Sequence, residues 1–514
     1  MAKKVFITTA IDYTNGAPHI GHAYEKILAD VIARYHRLRG EDVFFLTGVD
    51  QHGQKVQQSA EKEGVSPEQF VSDVTQKFIA LWYKLGIEYD GWAATTEAKH
   101  KQCVQGILQR LHDEGQLYKA TQGGYYSVRQ EQFLTDKERG PDGEFGAEWG
   151  TVEYREEENY YFKLAQHKEW LLRLIDARDD LITPAFRRAE LRNAVEKLSG
   201  DLCVSRPKSR LSWGIEFPFD PEFVCYVWFD ALVNYISFAD YDPRPSAPNS
   251  QLATFRSLWP ATIIIGKDIL VPAHGIYWMI MLHALGFSDE NMPRLLVHGW
   301  WNVSGAKMSK SLGNVVDPDT LAQKYGVEAL RYYLMSDIAT GQDADFSEER
   351  LVSRYNGDLA NSLGNLLNRT LNMAQRYRNG EIRRAGSDSP LRGQAHDALR
   401  AYEQQLDAFQ VHAALAAVTE FATSCNTYIE MTAPWKLAKE SQRADMLDHV
   451  LYALAESLRI IAILISPVLP KAARGIFEQL DWNGEISLPA ANWGGLPEEH
   501  KLAKPVPLFP RVES

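Results

Sequence analysis

VFITTAIDYTNGAPHIGHAYEKILADVIARYHRLRGEDVFFL, residues 5–46, decides the fold. Residues 5–9 are a short β-branched and aromatic run of the kind that forms a buried strand. The next seven, Asp12-Tyr-Thr-Asn-Gly-Ala-Pro18, are turn formers. From Ile20 to Leu38 the apolar residues Ile27, Leu28, Val31, Ile32, Tyr35 and Leu38 recur at helical spacing, and Gly40 ends the helix. A second apolar strand follows over 43–46. Strand, loop, helix, strand is a βαβ unit, which requires a parallel sheet.

Outward from this unit, 67–85 and 98–115 read as further helices. Over 117–224 the texture changes: short aromatic strand-like pieces at 124–128 and 160–164 alternate with acidic turns such as Glu156-Glu-Glu-Asn159, the mark of an inserted α+β domain. Parallel-sheet signals resume at 226–229, 261–265 and 294–297. After about residue 347 strand signals nearly vanish, and amphipathic helices are expected over 359–377, 390–406, 411–431 and 443–464, with 378–389 as the flexible connection of a helical bundle. The expected organisation is therefore α/β. A parallel-sheet catalytic domain (1–116 and 225–300) is split by a connective domain (117–224), then a loop-bearing region (301–346) leads to an all-α domain (347–514). There is no internal repeat or low-complexity tract.

The bulk numbers narrow the class. The chain has 514 residues, 45% hydrophobic and 24% charged, enough for several packed domains. No stretch of roughly 18 uninterrupted apolar residues exists, so no membrane span is expected. The N-terminus has neither the apolar core of a signal peptide nor the Arg/Ser-rich character of a transit peptide, which favours a cytoplasmic protein. Cys103, Cys203, Cys225 and Cys425 form no C-x-x-C pair, arguing against a cysteine zinc site or a disulfide framework and for reduced thiols. A net charge of −12 excludes a protein that coats nucleic acid indiscriminately, while leaving room for a specific RNA partner.

Two short motifs carry chemistry. His19-Ile-Gly-His22 stands where a loop meets a helix N-terminus, a place of free backbone N–H groups and partial positive charge that suits phosphate. Gly21 lets a ligand approach the backbone, and both histidines can donate to phosphate oxygens. Lys307-Met-Ser-Lys-Ser311 lies in a loop of small, polar and glycine residues with two ammonium groups, able to close over a polyphosphate. Alone, the first reads equally as two histidines in a turn and the second as a solvated basic loop. Together, in this order, they resemble the HIGH and KMSKS signatures of class I aminoacyl-tRNA synthetases. That resemblance implies ATP, with Mg²⁺, as the cofactor. It also implies that His19 and His22 hold the phosphates, that Lys310 is the principal transition-state cation and that Lys307 assists on pyrophosphate. Gly21, Gly266, Asp268 and Ser309 complete the ATP set, with Gly266 and Asp268, after the 261–265 strand, placed to meet the ribose.

Further stretches resemble the methionyl-tRNA synthetase family. Thr8-Thr-Ala-Ile-Asp-Tyr13 precedes the first motif as a similar strand and tyrosine do there; Thr47-Gly-Val-Asp-Gln-His-Gly53 is similar to TGTDEHG, and Tyr226-Val-Trp-Phe-Asp-Ala-Leu-Val-Asn-Tyr235 to YVWxDAxxxY. A thioether packs well on aromatic edges. Trp228 and Tyr235 can supply that wall, with Ala10, Ile11, Tyr13, Leu232, Ile269 and His274 around it and Asp50 for the ammonium. Without the resemblance Trp228 and Tyr235 are ordinary core residues. Leu232 stands where the family often has proline. The 265–278 segment is one residue longer than the commonest form, and His274 is assigned by its spacing to Trp278. Tyr125-Tyr-Ser-Val128 occupies the place of the cysteine knuckle of zinc-bearing relatives, so no structural zinc is expected. The insertion lacks the texture of a separate hydrolytic domain, so any homocysteine editing is expected in the synthetic site.

At the RNA end, Asn365 and Arg369 share one helix face, and Trp435 in Thr432-Ala-Pro-Trp-Lys436 is a stacking platform at a proline-marked junction. They resemble the elements that read the CAU anticodon in that family; otherwise they are solvated polar residues and a core tryptophan. Arg376, Arg378, Arg383 and Arg384 read either as phosphate contacts or as a solvated charge run. The resemblance implies L-methionine, ATP, and initiator and elongator tRNA(Met) as partners, and a monomer is expected. The rival readings are another class I synthetase and a non-catalytic tRNA-binding paralogue, the latter disfavoured by two complete signature loops.

Overall fold

The computed structural model describes residues 4–129, 132–134, 136–140, 142–244, 249–303, 305–308, 314–385 and 389–512. The opening stretch forms β1 (Lys4–Thr9), the two-residue β2 (Asp12–Tyr13), α1 (Ile20–Leu38) and β3 (Asp42–Asp50). These are followed by α2 (Gln54–Glu63), α3 (Pro67–Leu85), β4 (Gly91–Ala94) and α4 (Ala98–Asp113). A seven-stranded sheet runs β2–β3–β1, then 261–266, 294–298 and 182–183, with β4 also paired to β3. Every pairing in it is parallel. Such a sheet is covered on both faces and its strands are largely apolar at their centres; Phe6, Ile7, Ile263, Ile264 and Ile265 are almost wholly buried.

The topology positions the site. From β1 the chain crosses to β3 on one side and returns on the other through 261–266, so the strand order reverses at β1. Open parallel sheets bind ligands in the crevice beyond the carboxyl ends of the strands at such a point. Residues 10–13, Asp50 and Asp268 all stand at those carboxyl ends.

The inserted segment holds two long strands, β5 (Leu117–Ser127) and β7 (Val152–Phe162), with β6 (Gln132–Leu134) at the edge. Glu156 to Asn159, expected as a turn, instead lie within β7, opposite Gly123 to Ala120 of β5. The ladder's backbone bonds tolerate the charges because the arm is largely exposed there; Lys119 pairs with Glu158 at 3.0 Å. The segment does not stay apart as one inserted domain either, since Ile182–Thr183 forms an edge of the main sheet. Residues 226–229 are also not a strand. Val227–Leu232 is a helix, entered from an extended Tyr226 after the antiparallel strand Asp220–Cys225. A short apolar run does not distinguish a buried strand from a buried helix.

The C-terminal helices are Asn365–Arg378, Pro390–Asp407, Val411–Thr432, Ala444–Ile465 and Pro470–Leu480. The Ala444–Ile465 helix is buried nearly all round, as the central member of a bundle must be. The domain is helical, and the connection at its start adds one short strand, Glu381–Arg383, paired antiparallel with Glu499–Lys501, whose Ile382 is fully buried. Among the described residues no helix is long and apolar enough to cross a membrane.

Candidate active site

The N-terminus of α1 is built by the two histidines themselves. His19 is the N-cap, its Nδ1 accepting the Gly21 N–H at 3.1 Å, and His22 Nδ1 accepts the His19 N–H at 3.1 Å. A backbone amide only donates, so both Nδ1 atoms are unprotonated and each neutral ring carries its proton on Nε2. Each ring therefore carries an Nε2–H, and the two ring centroids lie 3.8 Å apart beside the positive end of a 19-residue helix. A Cβ at Gly21 would lie 2.9 Å from the His19 ring, so the glycine is required by the folded-back imidazole as much as by any ligand.

The second motif meets the first. The chain leaves 294–298 through a hairpin, Trp301–Val303 and Ala306–Lys307, rather than directly from a parallel strand. Its return is anchored where the Ile20 N–H donates to the Val316 carbonyl at 3.0 Å. Met308 lines the nucleotide-side cavity described below. Ser309 and Lys310 lie outside the described residues, as does the Lys307 side chain.

Two cavities adjoin at the switch point. One, of about 330 Å³, is lined by Ala10, Ile11, Tyr13, Asp50, Trp228, Leu232, Tyr235, Ile269 and His274, which are all nine residues expected for the amino acid. His22, Lys55, Asn234 and Asp268 also line it. The other, of about 240 Å³, is lined by His19, Gly21, His22, Gly266 and Asp268 together with Asp12, Glu25, His298 and Trp300. Ala10, Ile11, Tyr13, His22, Asp268 and Ile269 belong to both. Three larger grooves, of about 740, 730 and 380 Å³, lie elsewhere; the second opens at Lys4, Ala261 and Arg294, the amino ends of the strands, where parallel sheets do not bind ligands.

In the larger of the two adjoining cavities, His274 and Tyr235 meet each other's polar groups. The His274 Nδ1–H donates to the Ile269 carbonyl at 2.9 Å, so Nε2 must accept the Tyr235 hydroxyl at 2.7 Å. Burial holds His274 neutral, pushing it down to about 4, and raises Tyr235 well above its ordinary value. Trp228 presents its ring edge-on at 6.3 Å from His274. His274 lies in a run of wide helical turns, Leu270–Trp278, with a kink at Val271.

Behind this wall Asp230 accepts from His52 and His100, each at 2.7 Å. Burial acts to raise its carboxyl, but the two histidines outweigh it and hold it near 2. This bond joins the 47–53 and 226–235 motifs, a link neither segment discloses alone. A second network was equally hidden. Lys26 is fully buried and donates to Ala10 O at 2.9 Å, Asp12 at 3.0 Å and Glu25 at 2.8 Å, while Glu25 meets His298 at 3.1 Å. Burial raises Asp12 to about 7 against the pull of Lys26. Burial also works to raise Glu25, but Lys26 and His298 keep it below the usual range. Lys26 thus pins the 10–12 segment that lines both cavities. A lysine inside an apolar helix stripe is the one signal the sequence offered.

In the bundle, Asn365 is exposed at the start of its helix, and Arg369, one turn on, reaches Glu430 at 2.6 Å, which brings the end of the Val411–Thr432 helix alongside. Trp435 is half-buried against the core just after Ala433, at φ 44°. Arg378 is held by Asp448 and Arg384 by the Tyr452 hydroxyl at 2.8 Å, so both are tied internally rather than forming a solvated run.

Two histidines at a helix N-terminus beside a pair of adjoining cavities at the switch point agree with the class that the family model gives: the model described as tRNA synthetases class I (M) matches residues 5–143 and 147–371. The model for the anticodon binding domain of methionyl tRNA ligase matches 381–514. The chain belongs to the methionyl-tRNA synthetase family, the methionine–tRNA ligases. It is 42% identical to the methionine–tRNA ligase of Deinococcus radiodurans over 99% of this chain and 75% of that protein. It is 40% identical to that of Caldanaerobacter subterraneus over 100% of this chain and 80% of that protein. The Mycobacterium tuberculosis methionyl-tRNA synthetase in complex with methionyl-adenylate superposes with a TM-score of 0.92 at 37% identity, covering 99% of this chain and 100% of that one.

Proposed function

We propose that this chain activates L-methionine with ATP and transfers it to initiator and elongator tRNA(Met), with the residues described above in definite roles. The methionine side chain occupies the cavity walled by Trp228, Tyr235 and His274, with Ala10, Ile11, Tyr13, Leu232 and Ile269 closing it, and its ammonium meets Asp50. A carboxylate oxygen attacks the α-phosphorus in line; the new O–P bond forms as the bond to the bridging oxygen breaks, and pyrophosphate leaves. The Nε2–H groups of His19 and His22 donate to phosphate oxygens, Gly266 and Asp268 meet the ribose, and Lys310, aided by Lys307 and Ser309, neutralises charge as it develops. The observation that supports this reading is that the two cavities share six lining residues, so ligands bound in the two would be neighbours.

Mg²⁺ accompanies ATP and offsets charge on the leaving pyrophosphate. Asn365, Arg369 and Trp435 read the anticodon. A cytoplasmic setting is supported by the four free thiols, three of them buried. The monomer is tested by sedimentation, where a stable dimer would contradict it.

Charging assays test the whole reading. Methionine should be esterified to a transcript with a CAU anticodon and far less to one with that anticodon altered. No charging of the CAU transcript by folded protein would contradict the proposal.

A further inference from the structure

Methionine enters as a zwitterion, and its two charges need different partners. Asp50 offers a carboxylate to the ammonium, but a carboxylate brought into a largely apolar cavity needs a cation of its own. The reaction sharpens that need, because the carboxylate must come into contact with the negatively charged α-phosphate. Among the described residues lining the amino-acid cavity, the one lysine or arginine is Lys55. It stands in the first turn of α2, just after Gly53, whose φ of 106° starts the helix. The lysine is half-buried, and among the described residues its ammonium makes no hydrogen bond or ion pair. By contrast Lys26, on the neighbouring wall, is fully committed to three acceptors. Trp213 and Gln57 fix the approach to α2: the Trp213 Nε1–H donates to Gln51 O at 2.6 Å, and Gln57 accepts the Ser212 N–H at 3.1 Å.

We propose that Lys55 binds the α-carboxylate of methionine at the mouth of the cavity, so that Asp50 and Lys55 together read the zwitterion and Lys55 screens the carboxylate from the α-phosphate as they meet. The assignment rests on the proposed function, since it takes an amino acid as the occupant. A four-carbon stem with three rotating donors can follow the carboxylate towards the phosphate, which a fixed hydrogen bond could not do.

The test uses two ligands that differ only in the group at issue: methionine, and methioninol, which lacks the carboxylate. Dissociation constants are measured by calorimetry without ATP for the full chain, for Lys55→Met and for Lys55→Arg. Lys55→Met should weaken methionine about 10-fold, the scale of one charge-assisted hydrogen bond, and methioninol less than about 2-fold. Lys55→Arg should recover part of the methionine affinity. Equal weakening of both ligands would make Lys55 merely structural and overturn the assignment. So would unchanged binding of both, including the case in which only tRNA charging falls and the lysine serves the RNA end. Failure of the unaltered chain to bind either ligand would defeat the proposed function itself.

Discussion

His274 carries one proton in a place the fold dictates. Its Nδ1–H is spent on the Ile269 carbonyl and its Nε2 on the Tyr235 hydroxyl, so a second proton would break the Tyr235 bond inside an apolar wall. The consequence is a pH dependence of definite sign. The folded-state value is pushed by burial from 6.5 to about 4, so between those values the unfolded chain binds a proton that the folded chain refuses. Stability is then fully present above about pH 6.5 and falls as pH drops towards 4, by about 2 kcal/mol at pH 5. Urea midpoints compared at pH 7 and pH 5 should show this loss, and His274→Gln should flatten it. A variant whose midpoint falls as steeply as the parent's would remove His274 from the account. At this scale the sequence disclosed residue types but not states. Trp228, Tyr235 and Asp50 were recognisable from their motifs, whereas the tautomers of His19 and His22 and the burial of Lys26 depend on partners that only folding brings close.

The start of α1 is an element whose function is its terminus. The 20–38 helix was legible because nineteen residues of apolar periodicity leave little choice, and the same holds for 67–85 and the long bundle helices. Short or cross-linked elements were not. The 226–229 run has a strand's composition, Glu156 to Asn159 have a turn's, and the strand at Glu381–Arg383 exists only through a partner far along the chain. The prediction at this scale concerns Gly21→Ala. The new methyl, 2.9 Å from the His19 ring, should swing that imidazole off the cap and withdraw its Nε2–H from the nucleotide. Loss of the cap bond costs about 1 kcal/mol of stability. The larger effect should be at least about a 10-fold loss in kcat/KM for ATP, the scale of one charge-assisted hydrogen bond, with methionine binding in the absence of ATP little changed. Steady-state kinetics and calorimetry on the same variant decide it; an unchanged kcat/KM would mean that the His19 ring does not serve ATP.

Across the whole molecule, one buried guanidinium bonds to both the sheet domain and the bundle, beside ties such as Tyr35 to Asp407 at 2.9 Å. Arg331, 1% exposed, donates to Asp30 of α1 at 2.6 Å, to the Leu85 carbonyl ending α3 at 3.2 Å, and to Pro467 and Val468 of the bundle at 3.0 and 2.8 Å. Every bond crosses between regions that amphipathic patterns describe only one at a time, so nothing in the sequence singled this arginine out. Arg331→Met removes a charged donor from three carbonyls while Asp30 keeps Arg34 at 2.8 Å and the Glu88 N–H at 2.9 Å, so it should cost about 1–3 kcal/mol. It should also uncouple bundle unfolding from sheet unfolding in calorimetry, while a single unshifted transition would show that the junction is held elsewhere. The proposed function has one amino acid, one nucleotide and one RNA end meet in the crevice beyond β1. The most direct measurement is amino-acid-dependent ATP–pyrophosphate exchange, with methionine beside the other proteinogenic amino acids and Lys310→Ala as control. Exchange strongest with methionine and greatly reduced in the control is the result expected. Exchange with a different amino acid would contradict the cavity assignment, and none at all from folded protein would contradict the catalytic reading itself.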